Sequence, residues 1–152
     1  MRNGMNEKQT VVGFLESAGA AAMESRRLQR RVESLTEQQS KLLSRKGAAA
    51  RKLTRLIDTE RTRELALMEQ ELESYRAVEK FLAKIPDGAH RTILRRRYLD
   101  VGLSWTEIRD RLAQDGLYYS QRHIIRLHTQ AVEAASELWN TVGEEGARKK
   151  RR

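Results

Sequence analysis

Four side chains near the C-terminus have the types and spacing to read a nucleic acid: Gln121, Arg122, Ile125 and Arg126. An arginine fork can bind guanine O6 and N7 through two hydrogen bonds, and a glutamine amide can pair with adenine. Ser120 stands where it can cap a helix, which puts all four on its first two turns. Arg122 and Arg126 are four apart and therefore share a face. Ile124, Leu127 and Ala131 follow a three-four rhythm on the opposite face and are expected to point into a core. A polar face at a helix start is most often plain solvated surface. Here the cluster is basic: residues 87–132 hold eight arginines against five carboxylates, a surplus of three.

The elements needed to position these side chains can be read upstream. Ile85-Pro86-Asp87-Gly88 is a break, because proline disfavours helix at the residue before it and Asp87 can cap the next helix. A first helix is expected over about 89–99 and a second from Ser104 to about Asp115, opened by the capping box Ser104-x-x-Glu107. A third begins after Ser120 and is expected to end near Trp139, with Gly143 and Gly146 marking its frayed end. Helix, short helix, turn and longer helix is the helix-turn-helix plan, in which the N-terminal turns of the last helix enter the major groove. The expected core comprises Ile93, Leu94 and Tyr98; Leu103, Trp105, Ile108 and Leu112; and Ile124, Leu127 and Ala131.

Other basic residues are candidates for phosphate contact, each adding affinity that falls with salt. Arg95, Arg96 and Arg97 stand together, and they read equally well as a solvated face with one arginine paired to Asp100. Arg109 and Arg111 on the second helix, Ser120 and His123 at the start of the third, and the tail Arg148, Lys149, Lys150, Arg151 and Arg152 complete the set. His128 is expected to pack within the domain and Trp105 to anchor the core. Trp139 could pack against the break or a partner chain.

Residues 1–85 are expected to form a helical arm with a break near 44–48, residues 86–142 a helix-turn-helix domain, and residues 143–152 a basic disordered tail. In the arm, Val11, Phe14, Ala18, Ala21, Ser25, Leu28, Val32, Leu35, Gln39 and Leu42 alternate three and four, a heptad seam. A second pattern runs Leu53, Ile57, a polar gap around Arg61, then Leu65, Met68, Leu72, Tyr75, Val78, Leu82 and Ile85. Gly47 comes directly after Ser44-Arg45-Lys46, a plausible helix end. The matched stretches suit an antiparallel hairpin, and one continuous rod that dimerises fits as well. The fold class is all-α: a long N-terminal helical hairpin or coiled coil followed by the helix-turn-helix.

Composition narrows the function. Thirty Lys and Arg against 21 Asp and Glu give +9, which favours polyanions, nucleic acid first. Aromatics at 5% are sparse for a globule of 152 residues and suit helical rods around a small core. With no cysteine there is no disulfide or thiolate metal site. His90, His123 and His128 are too scattered for a metal site. The opening MRNGMNEKQT lacks the apolar stretch of a secretory signal, and no run is apolar enough to span a bilayer, so a cytoplasmic chain without a membrane partner is expected. No nucleophile–base pair, P-loop or paired catalytic carboxylates occur, so neither catalysis nor a cofactor is expected.

The block ILRRRYLDVGLSWTEIRDRL followed by YYSQRHIIRLHTQAVEAASELW resembles phage- and prophage-encoded regulators related to region four of bacterial sigma factors, including ArpU-like late-operon regulators. The positions that carry the resemblance are Leu94, Arg97, Tyr98, Leu103, Ser104, Trp105 and Ile108, then Ser120, Arg122, Ile124, Arg126, His128 and Ala131. It extends weakly back to residue 54. It implies transcriptional control through double-stranded DNA in a bacterial host, with RNA polymerase and a second copy bound through the arm as candidate partners. One departure is LAQDGLYYS, longer by about four or five residues than the short turn of such proteins. Tyr118 and Tyr119 are expected to project from it. The alternative class is a phage small-terminase-like subunit that recognises DNA and assembles through its arm.

Overall fold

The computed structural model describes the backbone of residues 4–150 and the side chains of residues 10–142. Among them are α1 (Gly4–Leu42), α2 (Ala48–Leu82), α3 (Ala89–Tyr98), α4 (Trp105–Gln114) and α5 (Gln121–Lys150), and no strand. The chain is all-helical, and no described helix is long and apolar enough to cross a membrane. It divides into two compact units, Ala20–Ser74 and a second made of 1–19 with 75–152.

Within Ala20–Ser74, α1 and α2 run antiparallel and reverse at Gly47, whose φ of 128° lies where glycine carries no Cβ penalty. Cross-pairs fix the direction. Arg31 Nε donates to Glu64 Oε1 at 2.9 Å and Arg31 NH2 to Glu60 Oε1 at 3.1 Å, while Gln39 Nε2 donates to Asp58 Oδ1 at 2.6 Å. On α1 the expected seam faces inward, with Ala21 and Leu28 buried and Ser25, Val32, Leu35, Gln39 and Leu42 half-buried.

On α2 two expected seam residues are corrected: Leu53 and Leu65 are exposed. The inner row is instead Thr54, Ile57, Arg61, Glu64 and Met68, with Glu64 buried. This row is the backward continuation, in steps of three and four, of Tyr75, Val78 and Leu82 on the same helix. The polar gap therefore turns inward, where arginine and glutamine from α1 satisfy most of it.

The second unit has two apolar clusters. One joins Val11, Leu15 and Ala18 of α1 with Val78, Phe81, Leu82 and Ile85, then Leu94, Tyr98 and Leu99, then Ala131, Val132 and Ala135 of α5. Phe14, Phe81 and Trp139 close it as a cluster of three tilted and edge-to-face rings, with centroids 4.7 Å to 5.8 Å apart. The other cluster is Ile93, Ile108, Leu112 and Ile124, flanked by Leu103, Trp105, Leu117, Tyr119 and Leu127.

The boundary expected at 85/86 is thus corrected. Residues 11–18 and 75–85 supply a large share of the apolar surface buried under α3 and α5, so the unit carrying α3–α5 includes residues from both ends of the expected arm. Two helix ends are corrected as well. Gly88, not Asp87, is the N-cap of α3, and Asp87 pairs with Arg91 at 3.2 Å. Helix α5 continues to Lys150, through Gly143 and Gly146, so the disordered tail expected from residue 143 begins as helix. An internal glycine costs a helix only about 1 kcal/mol, and the turns before these two are held by Ala135, Ser136, Leu138 and Trp139.

Candidate nucleic-acid interface

Helix α4 is set by its first turn. Ser104 is extended, its Oγ accepts from the Glu107 N–H at 3.2 Å, and Glu107 Oε1 accepts from the Ser104 N–H at 3.4 Å. Ile108 and Leu112 then fall one turn apart on the buried face. The helix closes through Gly116, at φ 87°, with the Leu117 N–H reaching back to the Leu112 carbonyl at 2.8 Å. That is a Schellman-type end, and it folds Leu117 onto the apolar cluster.

This closure absorbs the long connection. Leu117 and Tyr119 turn inward and Tyr118 alone projects, 81% exposed. The expectation that Tyr119 projects is corrected: its ring packs edge-on to His123 at 5.0 Å. Ser120 caps α5, its Oγ accepting from the His123 N–H at 3.2 Å. Ser120 is thereby occupied by the helix, and His123 is half-buried.

Of the four candidate readers, Arg122, Ile125 and Arg126 are exposed on the first two turns of α5. Neither arginine makes an ion pair or hydrogen bond with a described residue. Gln121 is half-buried, and its Oε1 accepts from the Thr106 hydroxyl at 3.2 Å. That bond ties the first turns of α4 and α5 side by side and fixes the glutamine's amide plane. Beneath them Ile124 is fully buried, Leu127 is half-buried and Ala131 is buried in the other cluster, with Tyr98.

The three consecutive arginines of α3 have three different fates. Arg95 is exposed and has no described partner. Arg96 is locked: it forks onto Asp115 at 2.8 Å and 3.0 Å and reaches Asp100 at 2.9 Å. These hydrogen bonds hold the Asp115 carboxyl below its ordinary range and raise the Arg96 guanidinium further. Arg96 is therefore a strut between α3 and the end of α4, its guanidinium engaged by two carboxylates. Arg97 lies over the Trp105 ring, 4.4 Å from the centroid.

Trp105, only half-buried, links that arginine to His128, whose ring is 5.1 Å away. His128 Nε2 lies 2.9 Å from the Tyr98 hydroxyl. Burial, and secondarily Arg97, push the His128 pKa down to about 4, so it is neutral at pH 7. The Arg97–Trp105–His128–Tyr98 chain joins α3, α4 and α5. Its members were each visible in the sequence, but their contact needs residues 30 apart to meet.

Arg109 is exposed on α4, with Asp110 at 3.5 Å, and Arg111 is 4.0 Å from Asp100. Arg148, Lys149, Lys150, Arg151 and Arg152 lie outside the residues whose side chains are described. Among the described residues no group of histidines and carboxylates could hold a metal ion. No family model, no curated protein and no solved structure matches this chain.

Proposed function

We propose that the chain is a sequence-specific DNA-binding transcriptional regulator that reads the major groove with the start of α5. The observation that carries this reading is that Arg122 and Arg126 are unpaired among the described residues. Both are exposed beside Ile125 on a capped helix start, whereas Arg96 and Arg97 nearby are tied up within the fold. Such a helix can present its first two turns to base edges while Ile124 keeps it seated. Arg95 on α3 and Arg109 and Arg111 on α4 are exposed arginines suited to phosphate. Gln121 acts as a positioned contact, with its NH2 the donor left for a base.

The motif resemblance to sigma-region-four-like phage regulators supports a role at promoters of a bacterial host, in the cytoplasm, with RNA polymerase as a partner. The test is selection from a randomised pool of duplex DNA by the full chain. A sharp consensus is expected, relaxed at one base pair by Arg122→Ala. Retention of all sequences alike would leave only nonspecific polyanion binding and overturn the reading.

A further inference from the structure

Outside the inner row of α2 runs a second row in the same three-four rhythm: Leu53, Leu56, Glu60, Arg63, Leu67 and Gln70. Its leucines are not core. Leu53, Leu56 and Leu67 are 48%, 57% and 43% exposed. Large leucines repeated on one exposed face of a helix mark a contact surface rather than scattered exposure. Between them stand one acid and one base. Glu60 Oε1 accepts from Arg31, and Arg63, largely exposed, lies 3.7 Å from Glu60 Oε2.

We infer that this face pairs with the same face of a second copy of the chain, antiparallel about a two-fold axis between positions 61 and 62. Antiparallel helices set the two kinds of seam position against each other. Leu56 then meets Leu67 of the second copy, Glu60 meets its Arg63, and Leu53 meets its Gln70, each contact occurring twice. The charges decide the direction. A parallel pairing would set Glu60 against Glu60 and Arg63 against Arg63, which repel. The antiparallel one turns Glu60 and Arg63 into opposite-charge pairs and matches Leu56 with Leu67, leaving Leu53 beside Gln70. A symmetric, self-complementary patch of this kind is what an isologous dimer requires. All of these residues lie within Ala20–Ser74, and the inference is independent of the DNA-binding reading.

The chain has no cysteine, so crosslinking can report register directly. Leu56→Cys and Leu67→Cys proteins are prepared separately, oxidised without DNA, and then mixed and oxidised. The mixture is expected to give a disulfide-linked dimer, while each protein alone gives little. Identical positions in the antiparallel pair are separated by about 16 Å for position 56, eleven residues of helical rise from its partner. Crosslinking within either single variant would indicate a parallel or different register and overturn the proposal. So would absence of crosslinking in all three.

Sedimentation over about a hundredfold concentration range complements this, because association follows mass action. Leu56→Glu and Leu67→Glu should each weaken the dimer about tenfold or more. Helix content should be retained, since both side chains point away from the inner row. A dimer indifferent to both changes would overturn the assignment of the face.

Discussion

The segment Ala20–Ser74 and the unit carrying α3–α5 solve the same packing problem in opposite ways. In the first, arginine and glutamate occupy inner positions of α2 while several leucines face outward. In the second, the inner positions are filled by leucine, isoleucine and alanine, and arginines line the outside. A polar seam is weak in net stability, because desolvating each ion offsets much of its attraction. It is, however, selective for register, since only one alignment pairs Arg31 with Glu60 and Glu64 and Gln39 with Asp58. Stability and alignment are thus carried by different parts of this chain.

The largest effects should come from the apolar clusters. Leu82→Ala removes a fully buried side chain and should cost about 2–5 kcal/mol by thermal or urea unfolding. Leu65→Ala, a change of the same chemistry on an exposed face, should fall within about 0.5 kcal/mol. Equal losses would erase the distinction between the two regions.

How much of this was legible in the sequence depends on whether residue type agreed with position. Ser104 and Glu107, Ile108 and Leu112, and Ser120 before Ile124 all announced α4 and α5, because local hydrogen bonding and periodicity gave the same answer. Gly47 marked the reversal in the arm, although a rod fitted the same residues. Leu53 and Leu65 misled because apolar residues fell outside the row that Tyr75, Val78 and Leu82 extend. Glu64 was invisible as a buried residue because its partner Arg31 is 33 positions away. Arg96 likewise looked like its neighbours, since nothing local reveals an Asp115 that closes the next helix.

Arg96→Ala probes the outer face of the second unit. Removing the fork leaves Asp115 and Asp100 without their cation and should cost about 1–2 kcal/mol, an intermediate value because the pair is partly solvated. A stability unchanged within error would make Arg96 an ordinary surface arginine and reopen its availability to DNA.

In the polar seam, Glu64 Oε2 is buried without a hydrogen-bond partner. Glu64→Leu should therefore be neutral or stabilising by up to about 1 kcal/mol, despite breaking the bond to Arg31. A loss of several kcal/mol in denaturant titration would show that the seam carries stability after all.

A pH slope, confined to one window, follows from His128. His128 has a folded pKa of about 4 against an ordinary value of 6.5. The folded state then binds fewer protons than the unfolded one between these values. This contribution is complete above about pH 6.5 and is lost as pH falls towards 4. Unfolding curves of the parent and His128→Gln should diverge in slope across that window and run parallel above it. Identical slopes would mean that His128 is solvated.

Whether the start of α5 reads DNA is decided by a binding titration on the selected duplex and a scrambled one at two salt concentrations. Wild type, Arg122→Ala, Arg126→Ala and Leu65→Ala proteins are compared. Each arginine change should cost about 1–3 kcal/mol on the selected duplex and little on the scrambled one, relaxing preference at one base pair. The Leu65 change should do neither. If Arg122→Ala and Arg126→Ala both retain full discrimination between the two duplexes, the start of α5 is not the reading surface.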